Sequence, residues 1–171
     1  MIASASYDGQ IRIFDTETGQ CLKTLIYDRG GSSSPVSYVR FSPNGKYVLA
    51  SSLDGSIRLW DYMNNKVAKT FTADKEPIAE KYTCGTRFLL LDGQSQPLVV
   101  SGSDSGKIYI WDVQSKDILS VLNGGDEDSD SNCPVLQVDA FDNGVALVSV
   151  SRDGVLKVWD LIDKKKDVEM E

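Results

Sequence analysis

The aspartates are the most regular candidates for chemistry in this chain. Asp8, Asp54 and Asp153 recur, each followed by glycine, and paired carboxylates can serve as general acid and base. Each of them, however, sits in a Ser-x-Asp-Gly run: Ser6-Tyr7-Asp8-Gly9, Ser52-Leu53-Asp54-Gly55 and Ser151-Arg152-Asp153-Gly154. A tight hairpin accounts for both residue types, since Asp bonds its own backbone and glycine adopts the left-handed conformation such turns need. The expected role of these carboxylates is therefore structural. Other nucleophile arrangements fail on composition: the 171 residues contain no histidine, which excludes Ser-His-Asp and Cys-His constellations and histidine-type zinc sites within the chain. Cys21, Cys84 and Cys133 are odd in number and lack C-x-x-C spacing, which argues against a disulfide framework or a zinc site and makes core or near-core thiols the expectation. The run Gly30-Gly31-Ser32-Ser33-Ser34 lacks the G-K-[ST] ending of a phosphate loop and reads as an inter-strand loop. No cofactor, no metal and no catalytic activity are expected.

The elements that hold these turns are repeated. Four units end alike, at Phe14-Asp15, Trp60-Asp61, Trp111-Asp112 and Trp159-Asp160, with 46, 51 and 48 residues between successive terminal aspartates. In the third unit Ser105 takes the turn position, beside Asp104. After each turn comes a short apolar or aromatic run, such as Ser56-Ile57-Arg58-Leu59-Trp60 or Lys107-Ile108-Tyr109-Ile110-Trp111, and before it another, such as Tyr47-Val48-Leu49-Ala50. These are strand and hairpin signals. A third run, Val36–Phe41, joins the second through the turn Ser42-Pro43-Asn44-Gly45. Each unit thus carries three or four strands, with units placed at 1–26, 35–72, 80–120 and 133–162. A single β-sandwich also has short, evenly spaced strands, but it does not explain a pattern repeated four times.

The rest of the composition is ordinary for a globular protein, 41% hydrophobic and 25% charged. No apolar run approaches the length of a membrane span, and the start Met1-Ile2-Ala3-Ser4 is not that of a signal peptide. A net charge of −7 disfavours direct binding of nucleic acid, so protein partners are expected. Residues 124–132 form an acidic insertion that reads as a solvated loop, and 163–171 read as a frayed, mixed-charge tail.

The period and the closing W-D dipeptide resemble the WD40 family of β-propellers, which implies an all-β fold. Such rings close with roughly 4–8 blades, whereas residues 1–171 carry about three and a half units. The expectation is the C-terminal half of a seven-bladed ring, with an obligate pair of half-rings as the alternative. Typical members of the family carry a Gly-His dipeptide whose histidine joins a buried network with the turn Asp and the Trp. Here the corresponding places are Tyr27-Asp28, Ala73-Asp74 and Gly124-Gly125. Apolar strands and tryptophans are therefore expected to carry stability in place of buried polar bonds.

Longer stretches, including Gly19–Leu25, Phe41–Tyr47, Leu59–Tyr62, Glu80-Lys81-Tyr82 and Val100–Ser103, resemble the WD-repeat subunit of COMPASS/MLL-type histone methyltransferase complexes. The resemblance implies a nuclear, non-enzymatic scaffold in a hetero-oligomer with methyltransferase subunits, and extends the expected ligands to the histone H3 tail. It implies two surfaces. One is a channel that grips a partner's arginine between aromatic rings, matched here by Tyr7, Ser37, Tyr38, Tyr82 and Thr83, with a family phenylalanine falling on Gly85. The other is a cleft on the opposite face for an acidic and aliphatic segment, matched by Asn44, Tyr47, Leu59, Lys69, Phe88, Leu90 and Gln114. Hairpin geometry alone explains Asn44 and Leu59 equally well. A different class is a substrate receptor or adaptor of a ubiquitin ligase, which would use Arg29 and Arg152 as its cationic ligands.

A half-ring exposes two unpaired blade edges, and unpaired edges associate. Residues 1–171 expressed alone should accordingly run as oligomers or aggregates in size-exclusion chromatography with light scattering. A monodisperse monomer that unfolds cooperatively would contradict the half-ring expectation.

Overall fold

A computed structural model of the chain describes residues 1–28, 30, 33–73, 76–91, 97–124, 133–141 and 146–160. The acidic segment 125–132 and the tail 163–171 lie outside them, as do Arg29 and Asp74. The described residues form strands and turns with no helix. The first sheet holds β1 (Ile2–Ala5), β2 (Gln10–Phe14) and β3 (Cys21–Ile26). The second holds β4 (Val36–Phe41), β5 (Val48–Ser52), β6 (Ser56–Asp61) and β7 (Lys66–Phe71). The third holds β8 (Thr86–Leu89), β9 (Leu98–Gly102), β10 (Lys107–Asp112) and β11 (Ile118–Asn123). The fourth holds β12 (Val135–Ala140), β13 (Ala146–Ser151) and β14 (Leu156–Asp160). Each sheet is an antiparallel meander in chain order, as hairpin turns dictate. Together they make a partial β-propeller.

Alternation along each strand builds the core between sheets. In β10, Ile108 and Ile110 join a cluster with Val135, Val138 and Leu147 of the fourth sheet. Tyr109 and Trp111 point the other way, into a cluster with Leu49, Leu59 and Phe71 of the second. A third cluster, with Ile11, Ile13, Leu25, Val48 and Trp60, joins the first two sheets. Because successive side chains face opposite ways, a strand between two neighbours is covered at every position. That explains why β5, β6 and β9 are buried along nearly their whole length.

Backbone bonds repeat the seam. Val36 donates to Ser6 O, Ile78 to Gly55 O and Val135 to Ser103 O, so each incoming segment hooks onto the turn of the preceding unit. The turn aspartates serve the backbone as the spacing implied: Oδ1 of Asp8, Asp54 and Asp153 accepts the N–H two residues on, from Gln10, Ser56 and Val155. The glycines beside them have φ of 81°, 77° and 86°. At Gly9 space is also short, since a Cβ would fall 2.4 Å from Ser33 Oγ. The closing aspartates cap the next turn, as where Asp112 Oδ1 accepts from Gln114 and Ser115 at 2.7 Å.

Two expectations need correction. Cys84 is buried and Cys133 half-buried, but Cys21 is exposed, because it lies on β3, the outermost strand of its sheet. Burial, reinforced by the charge of Asp104, pushes the Cys84 thiol far up, so it is not a thiolate nucleophile. The second correction concerns buried polar bonds. Arg58, only 2% exposed, pairs with Asp54 through Nη2 to Oδ2 at 2.5 Å and Nη1 to Oδ1 at 3.3 Å. Its guanidinium lies 3.7 Å from the centre of the Tyr27 ring, which meets Trp60 edge-on. Tyr27 belongs to the Tyr27-Asp28 pair that stands in place of the family's Gly-His, so one seam keeps a buried polar network of different composition.

Burial pushes the Asp54 carboxyl up, yet hydrogen bonds from Arg58 and Ser56 and the Arg58 charge outweigh it and hold the group below its ordinary value. Its contribution is present above the unfolded pKa of about 3.9 and disappears as pH falls through the folded value. Thermal unfolding of the full-length protein should therefore show a melting temperature that drops on acidification below about pH 4. Asp54→Asn strands the Arg58 charge and should cost on the order of 2–3 kcal/mol at pH 7, while flattening that acid slope. A variant as stable and as acid-sensitive as the parent would contradict the role given to this pair.

Candidate functional site

Chain direction separates the two candidate surfaces. Tyr7 lies in the β1–β2 turn, Ser37 and Tyr38 open β4, and Tyr82 and Thr83 lie in the segment entering β8. Asn44 lies in the β4–β5 turn, Gln114 in the β10–β11 turn and Leu90 just past β8, at the opposite ends of the same strands.

At the first end the entrance of β4 is brought beside the Tyr7 turn by the bond from Val36 to Ser6 O. Tyr7 itself is 65% exposed. Ser37 Oγ donates to Ser51 O at 3.3 Å, and the Tyr38 hydroxyl accepts from Arg40 at 3.5 Å. The Tyr82 segment is pinned by Asp104. Its Oδ2 accepts the N–H groups of Glu80 and Lys81, both at 2.8 Å, and its Oδ1 that of Tyr82 at 3.2 Å. This is why the third turn departs from the others: the aspartate has moved one position and serves a neighbouring loop. Tyr82 has a partner already, since the Arg152 guanidinium donates to its hydroxyl and lies 5.1 Å from its ring centre. Gly85 leaves no room for a ring while Gln137 keeps its place, because a Cβ there would fall 1.9 Å from Gln137 Oε1.

At the second end the matched residues gather on the seam between the second and third sheets. Leu59 of β6 and Phe88 of β8 are buried in one cluster, with Tyr47 packed against it half-buried. Lys69 of β7 donates to Gln114 O at 2.7 Å, bridging the two sheets. The lysine thus has a structural task that spacing did not disclose. Asn44 Oδ1 accepts from Ser42 Oγ and from the Lys46 N–H, so its carbonyl is committed to the turn. Leu90, 44% exposed, and Phe88 line a neighbouring pocket of about 400 Å³ together with Arg40, Phe41 and Phe141. Phe41 belongs to the stretch Phe41–Tyr47 named above, whereas Arg40 and Phe141 were not among the site residues that the sequence suggested.

The described residues hold no group of three or more metal-ligating side chains. Of the two arginines considered for a ubiquitin-ligase receptor, Arg29 lies outside the described residues and Arg152 is engaged on Tyr82.

The family model described as WD domain, G-beta repeat matches residues 19–61, 92–112 and 120–160. The chain belongs to the WD40-repeat family. Among individual proteins, COMPASS component SWD3 of Saccharomyces cerevisiae is 39% identical over 93% of this chain. Nuclear distribution protein PAC1 of Arthroderma benhamiae is 32% identical over 99% of it, and a periodic tryptophan protein 2 homolog of Dictyostelium discoideum 27% over 96%. The chain spans 51% of the first of these relatives and 38% and 16% of the other two.

Three N–H groups on one carboxylate make Asp104 the anchor of the Tyr82 segment. In Asp104→Ala the amides of residues 80–82 should exchange hydrogen for deuterium roughly tenfold faster or more, read by mass spectrometry on the peptide that covers them. Unchanged protection would show that the segment is held by something else.

Proposed function

We propose that this chain is part of a non-enzymatic WD-repeat scaffold that binds peptide segments of partner subunits and helps assemble a COMPASS-type histone H3 lysine methyltransferase complex in the nucleus. The observation that carries this reading is the likeness to the yeast COMPASS component along almost the whole chain. Its chemistry supports a binding role: the recurrent carboxylates are spent on turns, and the chain offers no histidine.

The cleft on the second-to-third-sheet seam is the proposed partner site. Tyr47 presents a half-buried ring over the apolar cluster of Leu59 and Phe88, the kind of surface that seats an aliphatic anchor. The Lys69 ammonium at its margin suits an acidic flank. An extended segment lying there would bury apolar side chains at the seam and keep its charges at the rim. The opposite face, with Tyr7, Ser37, Tyr38, Tyr82 and Thr83, is the proposed site for an arginine-bearing peptide such as the histone H3 tail.

Tagged full-length protein recovered from its own cells should bring with it histone H3 lysine methyltransferase activity. Tyr47→Ala should lower the recovered activity roughly thirty-fold, the equivalent of about 2 kcal/mol for an anchoring aromatic, with the melting temperature little changed. No methyltransferase activity with the parent protein would overturn the assignment, and full recovery with the variant would overturn the cleft.

A further inference from the structure

Arg40 is a half-buried cation without a counter-charge among the described residues. It lies on β4 and lines the pocket of about 400 Å³ beside the cleft, among Phe41, Phe88 and Phe141. The other guanidinium of this pocket, Arg87, is paired with Asp139 of β12. Arg40 meets no carboxylate among the described residues, and its one hydrogen bond goes to the neutral Tyr38 hydroxyl at 3.5 Å. A guanidinium partly withdrawn from water by aromatic neighbours is poorly compensated by such a bond, and a carboxylate is the group whose planar geometry matches it. Two apolar side chains stand open next to it, Leu90 at 44% and Phe141 at 60% exposure.

We propose that this pocket is an inner subsite that takes a carboxylate with an adjoining apolar side chain from a partner protein. The occupant follows from charge and shape. The chain's net charge of −7 repels a long polyanion such as nucleic acid. A segment with one or two carboxylates among apolar residues meets a local positive site and phenylalanine walls. The subsite is continuous with the proposed cleft, because Phe88 and Leu90 belong to both. It therefore rests on the cleft reading and deepens it: the segment held over Tyr47 continues inward and places an acid on Arg40.

The test uses the full-length protein with the photo-cross-linker p-benzoylphenylalanine in place of Phe141, irradiated in its own cells, with the attached peptide sequenced by mass spectrometry. The expected peptide has Asp or Glu within about three residues of the cross-link, the ~10 Å reach of an extended chain. Its yield should fall roughly tenfold or more in Arg40→Glu and by less in Arg40→Lys, which keeps the charge without the planar fork. A yield indifferent to Arg40→Glu, an attached segment without acids, attached nucleic acid, or no attached segment each overturns the proposal. Tyr47→Ala separates the two readings. If it abolishes cross-linking while Arg40→Glu does not, the inner subsite falls and the cleft stands. If Arg40→Glu abolishes cross-linking and Tyr47→Ala does not, the pocket stands without the cleft.

Discussion

A sheet buried on both faces is the constraint on which everything else in this molecule rests. Tyr109 and Trp111 lean toward one neighbour while Ile108 and Ile110 lean toward the other, so a single strand glues three sheets together. No sheet has a core of its own; the core belongs to the seams. The polar groups of the turns are then confined to the strand ends, and any surface able to recognise a partner has to be assembled there from several units. Both candidate surfaces obey this rule, each drawing on residues far apart in the chain that share one end of the strands.

Much of this architecture was legible because it repeats. Asp-Gly turns mark the hairpins in three of the four units and W-D endings in three of the four, and Val36–Phe41 forms a strand with the bounds its apolar run suggested. Period-two alternation was harder to use, since a strand buried on both faces has no solvent-facing polar series to reveal which residue faces which neighbour. Resemblance supplied the residues of the proposed cleft, yet the bond between Lys69 and Gln114 O crosses between sheets and leaves no mark in either local segment. Arg40, Arg87 and Phe141 were missed for the same reason: they come together only when three separate strands end side by side.

The buried network shows how a missing residue type can mislead. Absence of histidine suggested that polar bonds would matter little inside the seams. Instead Arg58, four residues after the turn aspartate, folds back onto it and is covered by the Tyr27 ring. The same spacing recurs at Asp8 and Arg12, whose ion pair at 2.7 Å stays exposed to solvent. The seam between the first and second sheets excludes enough water for the Arg58 pair to act as an interior anchor, a difference made by packing that the identical spacing does not reveal. In the third unit the aspartate is diverted to hold the segment of Tyr82, so one turn surrenders its local bond to organise a surface.

The contact of Arg152 with Tyr82 turns the fourth sheet into a tethered competitor of anything that approaches this ring. A guanidinium on the same chain samples the ring at an effective concentration in the millimolar range. A free arginine side chain must displace it, which multiplies the apparent dissociation constant by the inverse of the fraction of time the ring stands open. For the arginine-bearing ligand proposed at this face, discrimination would then depend on what its neighbouring residues contribute, because the guanidinium itself merely exchanges one occupant for an equivalent one.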